Sequence, residues 1–366
     1  MLKVCRWAGL TVSTILGLAL IVGVQPGAAL AQSTATPTPV SGGLIAFQST
    51  RDKRTEIWTM HTDGSNPLRL TNTPNKSNHD LAWSPDGTHI LFVRSESDAS
   101  KPQLWIMSND GKNQHMLLDQ AEAPQWSPDS KQIAYQKMTP DRSNSEIDVM
   151  DADGQNARAL VTSQAMNAVE PQMDGYFLPD SVAWAPDGKR IAFEQSLGGM
   201  MKYAIYDVNS DGSGLHKVVN DGGGGDCSWS PDGKYLLGAS AGAGKIFTVD
   251  MQTSAFAVHS LSVGEDFDYQ PRWSPDGKHI AFISSTAGDN GQNSLYIMDS
   301  DGSHRRQVTS GIAVTALRWS PDGSELAFGS AAGGNNSQLY VVSVAGGKPQ
   351  RLSDGNGDDN AFQWQP

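Results

Sequence analysis

Trp83-Ser84-Pro85-Asp86-Gly87 decides the fold, because the chain keeps returning to it. Trp-Ser-Pro-Asp-Gly recurs at 229–233, 273–277 and 319–323. Near copies are Trp126-Ser127-Pro128-Asp129-Ser130 and Trp184-Ala185-Pro186-Asp187-Gly188, and a clipped copy, Trp364-Gln365-Pro366, comes last. Successive tryptophans stand 43, 58, 45, 44, 46 and 45 residues apart. A period near 45 is that of a four-stranded propeller blade. Within each copy Pro presets φ at the first central turn position, Asp suits the next and Gly accepts φ > 0, so the segment closes a tight hairpin.

Working outward, each tryptophan ends a strand, a, and a second strand, b, follows the turn: Ile90-Leu91-Phe92, Ile133-Ala134-Tyr135, Ile191-Ala192-Phe193, Ile280-Ala281-Phe282, Leu326-Ala327-Phe328. A variable loop leads to strand c, such as Leu104-Trp105-Ile106-Met107, closed by an Asp-Gly turn such as Asp110-Gly111. Strand d, such as Arg158-Ala159-Leu160-Val161, completes the unit. β-Branched and aromatic residues support strands, and no stretch sustains a helical period. Residues 43–71 supply only b, c and d strands, and residues 361–364 only an a strand. Joined, they build one blade from both ends of the chain, which removes the unpaired edges of an open ring. The expected fold class is therefore all-β, a seven-bladed β-propeller of four-stranded blades, with six blades as the alternative count.

Over 43–366 the Trp-Ser-Pro-Asp-Gly repeats resemble those of TolB-like β-propeller proteins. The resemblance implies a periplasmic or secreted propeller that binds protein partners of the cell envelope. Similar repeats form the propellers of prolyl-oligopeptidase-like enzymes, whose catalysis resides in an attached α/β-hydrolase domain; no such domain is expected after Pro366. Fold alone does not fix function.

The start of the chain reads as an export signal. Residues 1–31 hold Lys3 and Arg6, an apolar run over 8–24, and Ala29-Leu30-Ala31 as a small-x-small cleavage site. A retained membrane anchor is the alternative. Residues 32–42, QSTATPTPVSG, read as an extended tether. The formal charge is −12, and without the signal 25 basic face 39 acidic residues, which opposes nucleic-acid binding. Cys227 is then the lone cysteine, so no internal disulfide forms.

Catalytic signatures are weak. Gly238-Ala239-Ser240-Ala241-Gly242 matches G-x-S-x-G but falls at a b–c loop with no helix after it. The Asp-x-Asp-Gly turns at 151–154 and 299–302 lack the remainder of a calcium loop, and the eight histidines show no metal spacing. No catalytic residue, metal or cofactor is expected. The b–c loops and d–a connections diverge between repeats on one face, and variable loops on a rigid scaffold carry binding. Acids precede six of the seven tryptophans by three to five positions: Asp80, Glu122, Asp180, Asp226, Asp268 and Asp359. They are expected to ring one mouth of the channel, with His79 beside Asp80. The longest d–a connection, 162–181, adds Met166, Tyr176 and Phe177. The expected role is a monomeric, non-enzymatic module binding a protein or peptide with basic groups by charge complementarity. The alternative is a carbohydrate-active or hydrolytic enzyme using channel-mouth carboxylates, with a metal.

Overall fold

The computed structural model describes residues 43–96, 101–139, 144–171, 179–197, 203–220, 227–240, 242–262, 264–285, 293–331 and 336–366. The proposed leader and tether lie outside the described residues. The described strands form seven antiparallel sheets of four. Blade 1 is Lys76–Trp83, His89–Glu96, Gln103–Ser108 and His115–Asp119; blade 2 is Ala121–Trp126, Gln132–Met138, Ser145–Asp151 and Arg158–Val161. Blade 3 is Pro179–Trp184, Arg190–Ser196, Tyr203–Asn209 and His216–Val219; blade 4 is Ser228–Trp229, Tyr235–Ala239, Ile246–Asp250 and Val258–Ser260. Blade 5 is Phe267–Trp273, His279–Ser285, Asn293–Asp299 and Arg306–Gln307; blade 6 is Ala316–Trp319, Glu325–Ser330, Gln338–Ser343 and Gln350–Arg351. Blade 7 joins Asp359–Trp364 to Leu44–Ser49, Glu56–His61 and Leu68–Arg69.

That seventh sheet is the closure expected from the two incomplete ends. Ile45 faces Trp364, Ala46 faces Gln363 and Ser49 faces Asp359 across it. The a strands neighbour one another in sequence around the ring, and the last returns to the first. Seven apolar clusters fill the seven seams. Phe92, Phe193, Phe282 and Phe328, each two residues into the conserved part of strand b, are 0% exposed. Burying such a side chain contributes about 1.5–3 kcal/mol.

The repeated turn explains its own sequence. Ser274 Oγ donates to Asp276 Oδ1 at 2.7 Å and accepts from the His279 N–H at 3.0 Å, while Asp276 Oδ1 accepts from the Lys278 N–H at 3.1 Å. The same bonds recur around Ser84, Ser127, Ser230 and Ser320. They hold the turn carboxylates well ionised; Asp276 is lowered to about 2, chiefly by the Ser274 hydroxyl. In blades 1 to 6 the c–d turn also donates a backbone N–H to the a–b turn, as from Ser300 to Lys278 at 2.9 Å, so both sets of turns share one face.

The tryptophan of the motif ties blades together. The indoles of Trp126, Trp229, Trp319 and Trp364 donate to the carbonyls of Ala82, Ala183, Arg272 and Arg318 in the preceding blade at 3.0–3.4 Å. Those of Trp83, Trp184 and Trp273 are buried without an acceptor. The c–d turn makes a second tie: a Cβ on Gly302, at φ +88, would stand 2.9 Å from the Leu261 carbonyl of blade 4.

One element departs from the sequence reading. Ser163–Val169 is an α-helix inside the long d–a connection, capped by Thr162 Oγ1, which accepts from the Ala165 N–H at 3.1 Å. Seven residues are too few to show a helical period. Met166 on this helix is 0% exposed and packs into the seam between blades 2 and 3.

Candidate functional site

The acids ahead of the tryptophans do not occupy one register. Residues three before Trp83, Trp126, Trp273 and Trp364 have positive φ: Asp80 +53°, Ala123 +50°, Gln270 +51° and Ala361 +41°. The a–b ladders shift at each of these places. A bulge carries an extra residue and re-aims the side chains before it. Acids three, four and five positions before the tryptophan therefore meet different surroundings.

Asp268 and Asp359, five positions before, are 0% exposed. Asp359 accepts two hydrogen bonds from Arg51 Nη2, at 3.1 and 2.9 Å. Asp268 accepts from Arg305 Nη1 and from Ser262 Oγ, both at 2.6 Å. Each guanidinium lies over an aromatic pair facing across strands b and c. Arg51 is 4.6 Å from the Trp58 ring centroid and 5.5 Å from that of Phe47, and Arg305 is 4.7 Å from Tyr296 and 4.9 Å from Phe282. Blade 1 repeats the arrangement with an amide, Arg94 Nε donating to Asn78 Oδ1 at 2.8 Å while its guanidinium covers Trp105 at 4.0 Å. Asn78 in turn donates to Glu56 Oε2 of blade 7 at 2.8 Å. Burial pushes the Asp359 carboxyl up, opposed by the bonds from Ser49 and Arg51. These two acids are engaged inside the molecule.

Asp80 behaves differently. Its side chain is 46% exposed and lies 3.2 Å from Nδ1 of His79, which is 24% exposed. The other ring nitrogen of His79 is 3.1 Å from Ser95 Oγ. Ser95, His79 and Asp80 thus follow the order of a nucleophilic relay. Their burial is inverted: a relay exposes its serine and buries its acid, whereas Ser95 is 2% exposed. Glu122, on the neighbouring blade, is half-buried. Asp226, Tyr176 and Phe177, and the side chain of Asp180, lie outside the described residues.

Ser240 directly follows strand b of blade 4 and accepts from the Ala243 N–H at 3.3 Å; strand c, Ile246–Asp250, comes next in the chain. Among the described residues no three His, Cys, Asp or Glu side chains are placed to hold a metal ion, and no helix is long and apolar enough to cross a membrane. Clefts formed by described residues open between blades on the tight-turn face. The one between blades 4 and 5 has a volume of about 650 Å³ and is lined by Asp232, Tyr235, His259, Trp273 and Asp276. Sequence reasoning also missed the Arg305 clamp, whose only advance signal was a phenylalanine in b and a tyrosine in c.

A family model for the TolB beta propeller domain matches residues 31–171, 92–291 and 269–366. Among solved structures the chain is similar to TolB from Acinetobacter baumannii, at 20% identity over 85% of this chain and 79% of that one, with a TM-score of 0.55. It is also similar to an oligogalacturonate lyase in complex with manganese, at 14% identity over 84% of each chain, with a TM-score of 0.62. Prolyl oligopeptidase B from Galerina marginata matches at 11% identity and a TM-score of 0.63, over 88% of this chain but 52% of that one. At these identities the likeness is one of fold. No curated protein matches the chain in sequence.

Proposed function

The chain belongs to the TolB beta propeller domain family, and from that premise we propose that it is an exported, non-enzymatic propeller that binds a basic segment of a protein or peptide at its loop-bearing face. The observation that carries this reading is the exposed Asp80 carboxylate, held at a left-handed bulge in strand a of blade 1, with the half-buried Glu122 in strand a of the next blade. Asp268 and Asp359 support the scaffold beneath rather than touching the partner. An exposed charge pair contributes at most about 1 kcal/mol, so the acids act mainly by steering encounter and rejecting acidic partners. Affinity capture from the exported fraction tests this. The Asp80→Asn/Glu122→Gln variant is expected to lose its partner at least tenfold, while Asp187→Asn on the opposite face retains it; equal recovery by all three proteins refutes the reading.

The hydrolytic reading rests on the Ser95–His79–Asp80 chain of contacts. A fluorophosphonate probe separates the two. No labelling of Ser95 is expected; labelling that disappears in His79→Ala would establish the enzyme instead.

A further inference from the structure

Two successive seams of the ring are built from the same positions but filled differently. Between blades 3 and 4 the seam holds a cation of its own. Arg190, the first residue of strand b in blade 3, places its guanidinium 4.5 Å from the ring centroid of Trp229, the motif tryptophan of blade 4, and its Nη1 donates to Asp207 Oδ2 at 3.3 Å. Trp229 is buried there. Between blades 4 and 5 the strand registers put Tyr235 at the place of Arg190 and Thr248 at that of Asp207, and Trp273 stands where Trp229 does. Trp273 is only half-buried, and the cleft of about 650 Å³ opens beside it.

Three carboxylates border that cleft: Asp232 and Asp276 from the a–b turns of blades 4 and 5, and Asp301 from the c–d turn of blade 5. Hydrogen bonds hold all three below the ordinary aspartate range, chiefly from Lys234, Ser274 and Ser303 respectively. Lys234 and Lys278 lie 2.9 and 3.3 Å from Asp232 and Asp276, but as exposed pairs on long side chains they are weakly held. Asp301 accepts from the Ser303 N–H of its own turn at 2.8 Å. The cleft between blades 5 and 6, by contrast, already has Arg306 on its wall, donating to the Val344 carbonyl at 2.6 Å. An indole beside ionised carboxylates suits a flat cation: a guanidinium stacks on the ring and offers five donors in a fixed fork, whereas an ammonium is compact and strongly hydrated.

We propose that the cleft between blades 4 and 5 receives an arginine side chain of a protein or peptide partner, stacked on Trp273 and facing the carboxylates of Asp232, Asp276 and Asp301. The partner thereby supplies from outside the guanidinium that Arg190 supplies from within one seam earlier. The site lies on the tight-turn face, away from Asp80, so it stands or falls independently of binding at the loop-bearing face.

Titration of the full chain with the peptide acetyl-Gly-Arg-Gly-amide tests this, followed by the NMR signal of the Trp273 indole N–H, which Trp273→Phe identifies. A saturating shift is expected, with affinity about fivefold tighter than for acetyl-Gly-Lys-Gly-amide. Tyr235→Arg places a guanidinium at the position of Arg190 and should abolish the response. Asp301→Asn, a change in an exposed turn, should weaken binding about threefold, and Asp80→Asn/Glu122→Gln should leave it unchanged. Equal affinity for the two peptides, no shift at Trp273, or a response that survives Tyr235→Arg overturns the proposal. Loss of the response in Asp80→Asn/Glu122→Gln also overturns it, by placing the peptide on the loop-bearing face. If Tyr235→Arg fails to fold, Asp301→Asn decides, and unchanged affinity in that variant overturns the site.

Discussion

Single residues on the turn face are constrained by two separate demands, backbone conformation and room. Gly302 faces both, whereas Gly346, at φ +91, would meet nothing within 4 Å. Left-handed backbone costs a non-glycine residue about 1–2 kcal/mol. Gly346→Ala is therefore expected to cost about 1 kcal/mol, and Gly302→Ala about 3 kcal/mol once strain at the Leu261 carbonyl is added, as measured by urea unfolding. The motif serine gives a pH test. The folded Asp276 value, about 2, lies below that of an unfolded aspartate, so the ionised turn adds stability above about pH 4 and loses it as pH falls towards 2. Ser274→Ala removes the main cause of that lowering, so acid unfolding should begin at a higher pH than in the wild type. Ala185 in blade 3 already lacks the hydroxyl, and Ala185→Ser should move the midpoint the other way.

At the scale of strands and blades, the tryptophans divide into those that reach a neighbour and those that do not. Trp319→Phe breaks the bond to the Arg272 carbonyl, whereas Trp273→Phe removes an indole N–H with no acceptor. The first should cost about 1 kcal/mol more than the second in equilibrium unfolding. Blade number and strand order were legible because every blade repeats the same turn chemistry at a nearly constant interval. The bulge in strand a was not legible, because Asp80, Ala123, Gln270 and Ala361 share no side-chain property and none is a glycine. Packing of the closed ring imposes that conformation against local preference. The acidic positions were legible as charges, but sequence carries the sign of a charge without its partner. Arg51 is 308 residues from Asp359, and only ring closure brings them together.

For the molecule as a whole, that ion pair lies where the first and last segments of the described chain share a sheet. Asp359→Ala leaves the Arg51 guanidinium, with its side chain 9% exposed, without its main counter-charge. A cost of about 3–5 kcal/mol is expected. The double change Arg51→Met and Asp359→Leu, which removes both charges, should cost less than Asp359→Ala alone. Urea unfolding of the three proteins checks the order. A larger penalty for the double change would show that the pair stabilises closure through more than mutual neutralisation.

The backbone bond from Gln365 to the Leu44 carbonyl, 2.7 Å long, makes the gene for this ring open to rearrangement. With Leu44 and Gln365 already bonded, a few added glycines would fuse the two ends of the ring, and the chain can be reopened at the exposed Pro186-Asp187 hairpin instead. Such a circular permutant should assemble the same toroid while handing the duty of fastening it to blade 3, then built from both ends of the chain, and leaving blade 7 continuous.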